Sequence, residues 1–226
     1  MATLTQLLSR VVTPLDMQDY SIVSSAEVTQ SINDGIKRAE AQIHMLYEDY
    51  FLAYETLNIV SGTATYSLPS DIYARKIRKV IYNDGSSIKY EVIQLKDLNH
   101  TAIVDDNDEF KYRIFNDSSN GVQLTLFPTP AETNSFITIY YIRDAKQLSS
   151  GSDVCDIPEY EEYVVKYAQV ECLKKEMSNP LLQTYQQDLQ VLGQEMIDSL
   201  SQAIDDGNVE IDMDLSFYDD FYNQDY

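Results

Sequence analysis

A chain of 226 residues with 44% hydrophobic content is long enough to bury a sizeable core, as one large domain or two smaller ones, which excludes intrinsic disorder as its class. Its 37 acids against 16 bases give a formal net charge of −21, so non-specific attraction to nucleic-acid phosphate is disfavoured. The two cysteines, Cys155 and Cys172, are too few for a disulfide framework and have no second Cys or His at metal-binding spacing; they are read as reduced and structural.

Residues 1–23 are expected to form an arm holding one short helix, Leu4–Val12, stopped by Thr13-Pro14. The opening MATLTQLLSRVVTPL lacks a basic start followed by an apolar run, and no later segment reaches the roughly 18 apolar residues of a membrane span, so neither a standard secretion signal nor membrane insertion is expected. A long amphipathic helix follows. Ser24 and Glu27 fit a capping box, and Val28, Ile32, Ile36, Ala39, Ile43, Leu46 and Tyr50 recur at spacings of three and four, which predicts about seven turns. Gly35 within it costs about 1 kcal/mol relative to Ala and marks a kink or a close crossing.

From Leu57 the apolar period switches from helical to alternating. LNIVSGTATYSLP reads as strand, Ser61-Gly62 turn, strand; KIRKVIYNDGSSIKYEVI reads as a hairpin in which Gly85 accepts the positive φ of a primed two-residue turn. KYRIFNDSSNGVQLTLF repeats the arrangement around Asn120-Gly121, and LTLFPTPAET reads as a hairpin connection into the last strand, FITIYYIRD. In that connection Pro128 and Pro130 end one strand, cannot donate to a ladder, and keep the corner from pairing with another sheet edge. A run of short strands with no helices between them implies an antiparallel sandwich or barrel.

QLSSGSD reads as a Gly/Ser linker back to helix. Pro158 suits a first helical residue, and EYEEYVVKYAQVECLKKEM sets acids in its first turn and lysines in its last, complementing the helix dipole. Asn179-Pro180 breaks the chain, after which Leu182, Tyr185, Leu189, Leu192, Met196, Ile197, Leu200 and Ile204 form a stripe close to a heptad seam. The expected fold is therefore α+β. Residues 24–56 and 157–206 form a helical bundle, residues 57–150 an inserted antiparallel β-sandwich or barrel, and residues 207–226 an acidic, aromatic tail.

Candidate chemistry is sparse. His44 lies on the long helix and His100 in a loop-like stretch, each a lone histidine better read as structural or solvated; Cys172 reads as a small buried thiol. Phosphate loops, HExxH, GxSxG and CxxC do not occur, and no catalytic, cofactor-binding or metal-ligating set is expected. The acids of residues 105–109 lack calcium-loop spacing and read as a solvated loop, with weak cation binding at subunit contacts left open. Arg75, Lys76, Arg78 and Lys79 would alternate faces on a strand, as a salt-bridged surface or a contact for an acidic neighbour. In the tail, Phe217, Tyr218, Phe221, Tyr222 and Tyr226 stand among acids that forbid independent folding, the composition of a docking peptide.

Three marks in order carry a resemblance. Gly62, Tyr66, Leu68, Pro69 and Asp71 form one strand corner; Leu124, Leu126, Pro128 and Pro130 form a second; Ile157, Pro158 and Tyr160 open a helix. Together with the plan of helix, β insertion and helical hairpin over residues 24–200, they resemble the head-to-tail adaptors of tailed bacteriophages, the tail-tubular-A or connector-ring group. The resemblance implies a non-enzymatic virion protein, assembled in the host cytoplasm. It implies a homo-oligomeric ring, dodecameric in type, beneath the portal protein, joined below by a tail or neck protein, with genomic DNA passing through without specific binding. The alternatives are a stopper or tail-completion protein, or a ligand- or carbohydrate-binding β-sandwich module.

Overall fold

The computed structural model describes residues 1–17, 22–86, 88–95, 109–119, 121–131, 133, 135–175 and 179–207. His100, the acids of residues 105–108, Asn120 and the tail residues Phe217, Tyr218, Phe221, Tyr222 and Tyr226 lie outside them.

Local hydrogen bonding starts the first two helices. α1 (Leu4–Val12) opens on a capping box in which Gln6 N donates to Thr3 Oγ1 (3.3 Å) and Thr3 N to Gln6 Oε1 (2.9 Å). α2 (Ser25–Leu46) opens the same way, with Glu27 N donating to Ser24 Oγ (3.3 Å) and Ser24 N to Glu27 Oε2 (2.9 Å). α2 stops short of Tyr50. The chain tightens into a 3₁₀ turn, Glu48–Phe51, that buries Phe51 and leads directly into β1 (Leu52–Asn58), ending the apolar stripe on a turn rather than a helix.

Seven further strands follow: β2 (Thr65–Ser67), β3 (Ile72–Asn83), β4 (Lys89–Glu91), β5 (Ile93–Gln94), β6 (Lys111–Asp117), β7 (Gly121–Phe127) and β8 (Phe136–Arg143). They form two four-stranded sheets, ordered β1-β8-β3-β4 and β2-β7-β6-β5. Ser61-Gly62 is therefore a corner between sheets and not a hairpin turn, since β1 pairs with β8 and β2 with β7. LTLFPTPAET is likewise a sheet-to-sheet crossover, from β7 to β8. The two corners hold each other: Gly62, at φ +77°, donates its N–H to Pro130 O (2.8 Å), and Ser61 Oγ donates to Ala131 O (2.8 Å).

One pair departs from the antiparallel expectation. β5 runs parallel to β6, because Val92 N still bonds Val80 O in the first sheet (2.8 Å) while Leu95 N bonds Tyr112 O in the second (2.8 Å). The β3–β4 connection is also longer than a two-residue turn. Its last pair is Asn83 with Lys89, and the Asp84 carboxylate accepts from Ser86 N (2.8 Å) and Ile88 N (3.0 Å) across the loop, with Gly85 at φ +82°.

α3 (Glu161–Leu173) and α4 (Leu182–Gly207) complete the chain. One buried cluster joins Leu7 and Val11 of α1, Ile32, Ile36 and Ile43 of α2, Val164 and Ala168 of α3, and Met196 and Leu200 of α4. The helix in the expected arm thus packs into the helical core. Between the sheets, Val80, Ile137, Ile139 and Tyr141 meet Tyr112, Leu124 and Leu126 in a second cluster. QLSSGSD is no loose linker: Leu148 is buried, exchanges hydrogen bonds with the Asn33 side chain (2.8 and 2.9 Å), and Leu4 N bonds Asp153 O (2.8 Å).

Candidate interaction surfaces

The helical and β parts are joined by a compact set of polar contacts. Both strands that enter or leave the bundle take part. At the start of β1, Glu48 accepts from Lys76 and Arg78 together, and Arg78 also reaches Asp49 Oδ1 at 2.8 Å. At the end of β8, Arg143 Nη1 contacts Asp156 Oδ2 at 2.5 Å and Ala145 N donates to buried Glu40 Oε1 at 2.6 Å. Tyr141 OH donates to Asp71 Oδ1 (3.1 Å), whose backbone oxygen accepts from Asp144 N (2.6 Å).

His44 sits in this junction, stacked on Tyr73 with ring centroids 3.9 Å apart and with Nε2 3.7 Å from Glu40 Oε1. Burial pushes its pKa below the ordinary imidazole value, and the Lys76 ammonium pushes the same way, so the ring is neutral at pH 7. Burial raises Glu40, with Asp144 and Asp156 adding to the rise against the Ala145 N–H. A cleft of about 360 Å³ beside them is floored by Glu40, Tyr73 and Asp144. Among the described residues no group of three or more His, Cys, Asp or Glu is placed to hold a metal ion. The junction is a weld between two bodies, built from ion pairs, buried polar contacts and the stacked His44 and Tyr73 rings.

A bulge explains the basic run. Ala74 (φ 46°) and Arg75 (φ 59°) are both left-handed, and the β3–β8 register slips between Ile72 and Ile77 and again between Ile77 and Lys79. The simple alternation expected of the four bases is therefore lost. Lys76 and Arg78 turn to Glu48, while Lys79 falls opposite Tyr140 and pairs with Glu91 Oε2 at 3.2 Å. Arg75 is exposed. The cysteines are buried and free, with both thiols pushed by burial up to about 11, which leaves them inert.

Among the described residues two surfaces stand open. On the bundle, α4 lies along α3, with Lys166 Nζ bonded to Asp188 (3.1 Å) and seated 4.1 Å from the Tyr185 ring. A groove on each side of it carries different chemistry: Glu159, Glu162 and Glu195 line one, and Arg38, Gln42 and Gln190 the other. On the β module, register puts Tyr54, Tyr140 and Lys79 in one row of the outer face, Thr56, Thr138, Ile81 and Glu91 in the next, and Asn58, Phe136, Asn83 and Lys89 in a third. Tyr54 is 70% exposed. In a chain of net charge −21, the paired rows of this face hold, among the described residues, only Lys79, Lys89 and Glu91 as charged groups.

The family model described as SU10 adaptor protein matches residues 2–212, taking in both bodies and the junction between them. The chain belongs to the SU10 adaptor protein family. A comparison with curated proteins gives no match. This member is accordingly a structural adaptor of the phage head-tail type, in a family that is structural and not enzymatic. Among the described residues no helix is long and apolar enough to cross a membrane. The missed signals were non-local: the charge-poor sheet face needs the β1-β8-β3 register, which no single stretch of sequence contains. A local one was available in Thr3 and Gln6, three residues apart ahead of an apolar helix.

Proposed function

We propose that this adaptor is the subunit of a homo-oligomeric ring, dodecameric as in the tail-tubular-A-like connector group, set beneath the portal protein and extending the DNA channel toward the tail or neck protein below. The family match over residues 2–212 carries the reading. Two properties support it. A ring is built from heterologous contacts, so each subunit needs two different complementary faces, and the fold offers unlike open surfaces on its two bodies. A channel that must release DNA should repel it, and a net charge of −21 per subunit provides that repulsion.

The terminal segment belongs to the same reading. Phe217, Tyr218, Phe221, Tyr222 and Tyr226 anchor it on a neighbouring virion protein, because they are large aromatic groups in a stretch too acidic to fold alone. Deleting residues 207–226 should leave the helical and inter-sheet cores intact, since among the described residues both are built from positions up to Leu200, and should lower incorporation into particles. Co-sedimentation of the purified adaptor with portal rings tests the placement. Stoichiometric capture in a heavier species is expected; an adaptor that stays at the top of the gradient beside intact portal rings contradicts it.

A further inference from the structure

β1 is an edge strand, paired among the described residues with β8 alone. Antiparallel pairing sends the backbone groups of alternate residues to the partner and to the open side. Ile59 N donates to Ser135 O, which places Leu57, Glu55 and Ala53 in the set bonded to β8 and directs the N–H and C=O of Tyr54, Thr56 and Asn58 toward the open edge. Edge strands are normally blunted by shortness, lysine, proline or a bulge. β1, LAYETLN, is seven residues long and carries neither lysine nor proline, its one charged residue being the half-buried, inward-facing Glu55, whereas β2 and β4 have three residues each and β5 two.

The chain beyond α4 contains a segment of the same length. Residues 209–215, VEIDMDL, alternate Val209, Ile211, Met213 and Leu215 with Glu210, Asp212 and Asp214, the pattern of a strand with one buried face. We propose that residues 209–215 of a second copy of this chain add to the open edge of β1 as a fifth strand of its sheet. The proposal rests on the ring reading, and it supplies that ring with a heterologous contact: each copy gives one segment and receives another.

Charge sets the facing. With the apolar side turned inward, Ile211 and Met213 extend the inter-sheet cluster past half-buried Ala53 and Leu57. The carboxylates of Glu210, Asp212 and Asp214 then lie on the outer face, where Lys79 and Lys89 outnumber Glu91. The opposite facing would press three carboxylates toward Glu55 and the buried cluster, an unpaired burial of charge.

The test uses full-length chains. Thr56→Cys is mixed under mild oxidation with partners carrying one cysteine at Glu210, Asp212 or Asp214, or at Val209, Ile211 or Met213; native Cys155 and Cys172 are buried. A disulfide-linked pair of chains is expected with the acidic-side positions, several-fold stronger than with the apolar-side ones, because strand parity sets only the former beside Thr56. Equal linking at both parities overturns the proposal. So does an absence of linking while electron micrographs of the same sample show rings, a result that leaves the ring reading standing. Absence of rings counts against the ring reading itself. In a further chain carrying Thr56→Cys and Asp212→Cys together, linking that forms within that chain while the mixed single-cysteine chains stay unlinked overturns the assignment to a second copy.

Discussion

Gly35 is where a missing side chain lets two helices cross closely. A Cβ there would meet Val164 O at 3.2 Å and the Tyr167 ring at 3.3 Å, so the α2–α3 crossing is as close as it is because this position has none. Gly35→Val should lower stability by about 1–3 kcal/mol, the range for overpacking a well-filled interior, read from the midpoint of a denaturant titration. His44 gives a pH signature. Its folded-state pKa is depressed by burial, so its contribution is present above the ordinary His value of 6.5 and is lost as pH falls through the lower folded value. Glu40, raised by burial, works in the opposite sense, its contribution fading as pH rises through its own elevated value. Melting temperatures of wild type and His44→Phe, compared between about pH 7 and 5, should show a fall with acidification in the wild type and a flatter profile in the variant.

At the scale of elements, what was legible in the sequence was what the chain settles within a few residues. Ser24 and Glu27 announce the start of α2, and the structure closes their capping box. Ser24→Ala should therefore cost about 1 kcal/mol, measurable by the same denaturant titration. Strand pairing was not legible, because Ser61-Gly62 and the Pro128-Pro130 stretch look like ordinary turns until it is known that each joins different sheets and that they bond to each other. QLSSGSD misled in the same way: its composition is that of a linker, but Asn33 and Leu4, far off in sequence, supply its partners. The basic run forms the salt-bridged surface expected of it, with Lys76 and Arg78 on Glu48 and Lys79 on Glu91, but its alternation is lost to a bulge at Ala74 and Arg75 that composition does not foretell. Its ion pairs with Glu48 are partly exposed, so Glu48→Gln should move the denaturation midpoint only slightly, with the shift shrinking at high salt. A large shift that persists at high salt would mean that the junction depends on Glu48 far more than its exposure allows.

For the whole molecule, charge and architecture point the same way. Copies with a net charge of −21 repel each other, so in the proposed ring the contacts that join them belong on surfaces such as the outer face around Tyr54, Thr138 and Phe136, where charge is scarce. Raising salt from about 0.01 to 0.15 M shortens the screening length from about 30 to 8 Å and should strengthen self-association, the reverse of a salt-bridge-driven assembly; sedimentation velocity at both salts reads it. The same charge should leave the adaptor without measurable affinity for duplex DNA in a gel-shift assay at physiological salt. The most direct measurement is cryo-electron microscopy of the head-tail junction in assembled particles. The account predicts this chain as a ring coaxial with and directly below the portal, its helical and β bodies recognisable in each subunit; a junction density that this fold does not fit, or a single copy at the side of the neck, would contradict it.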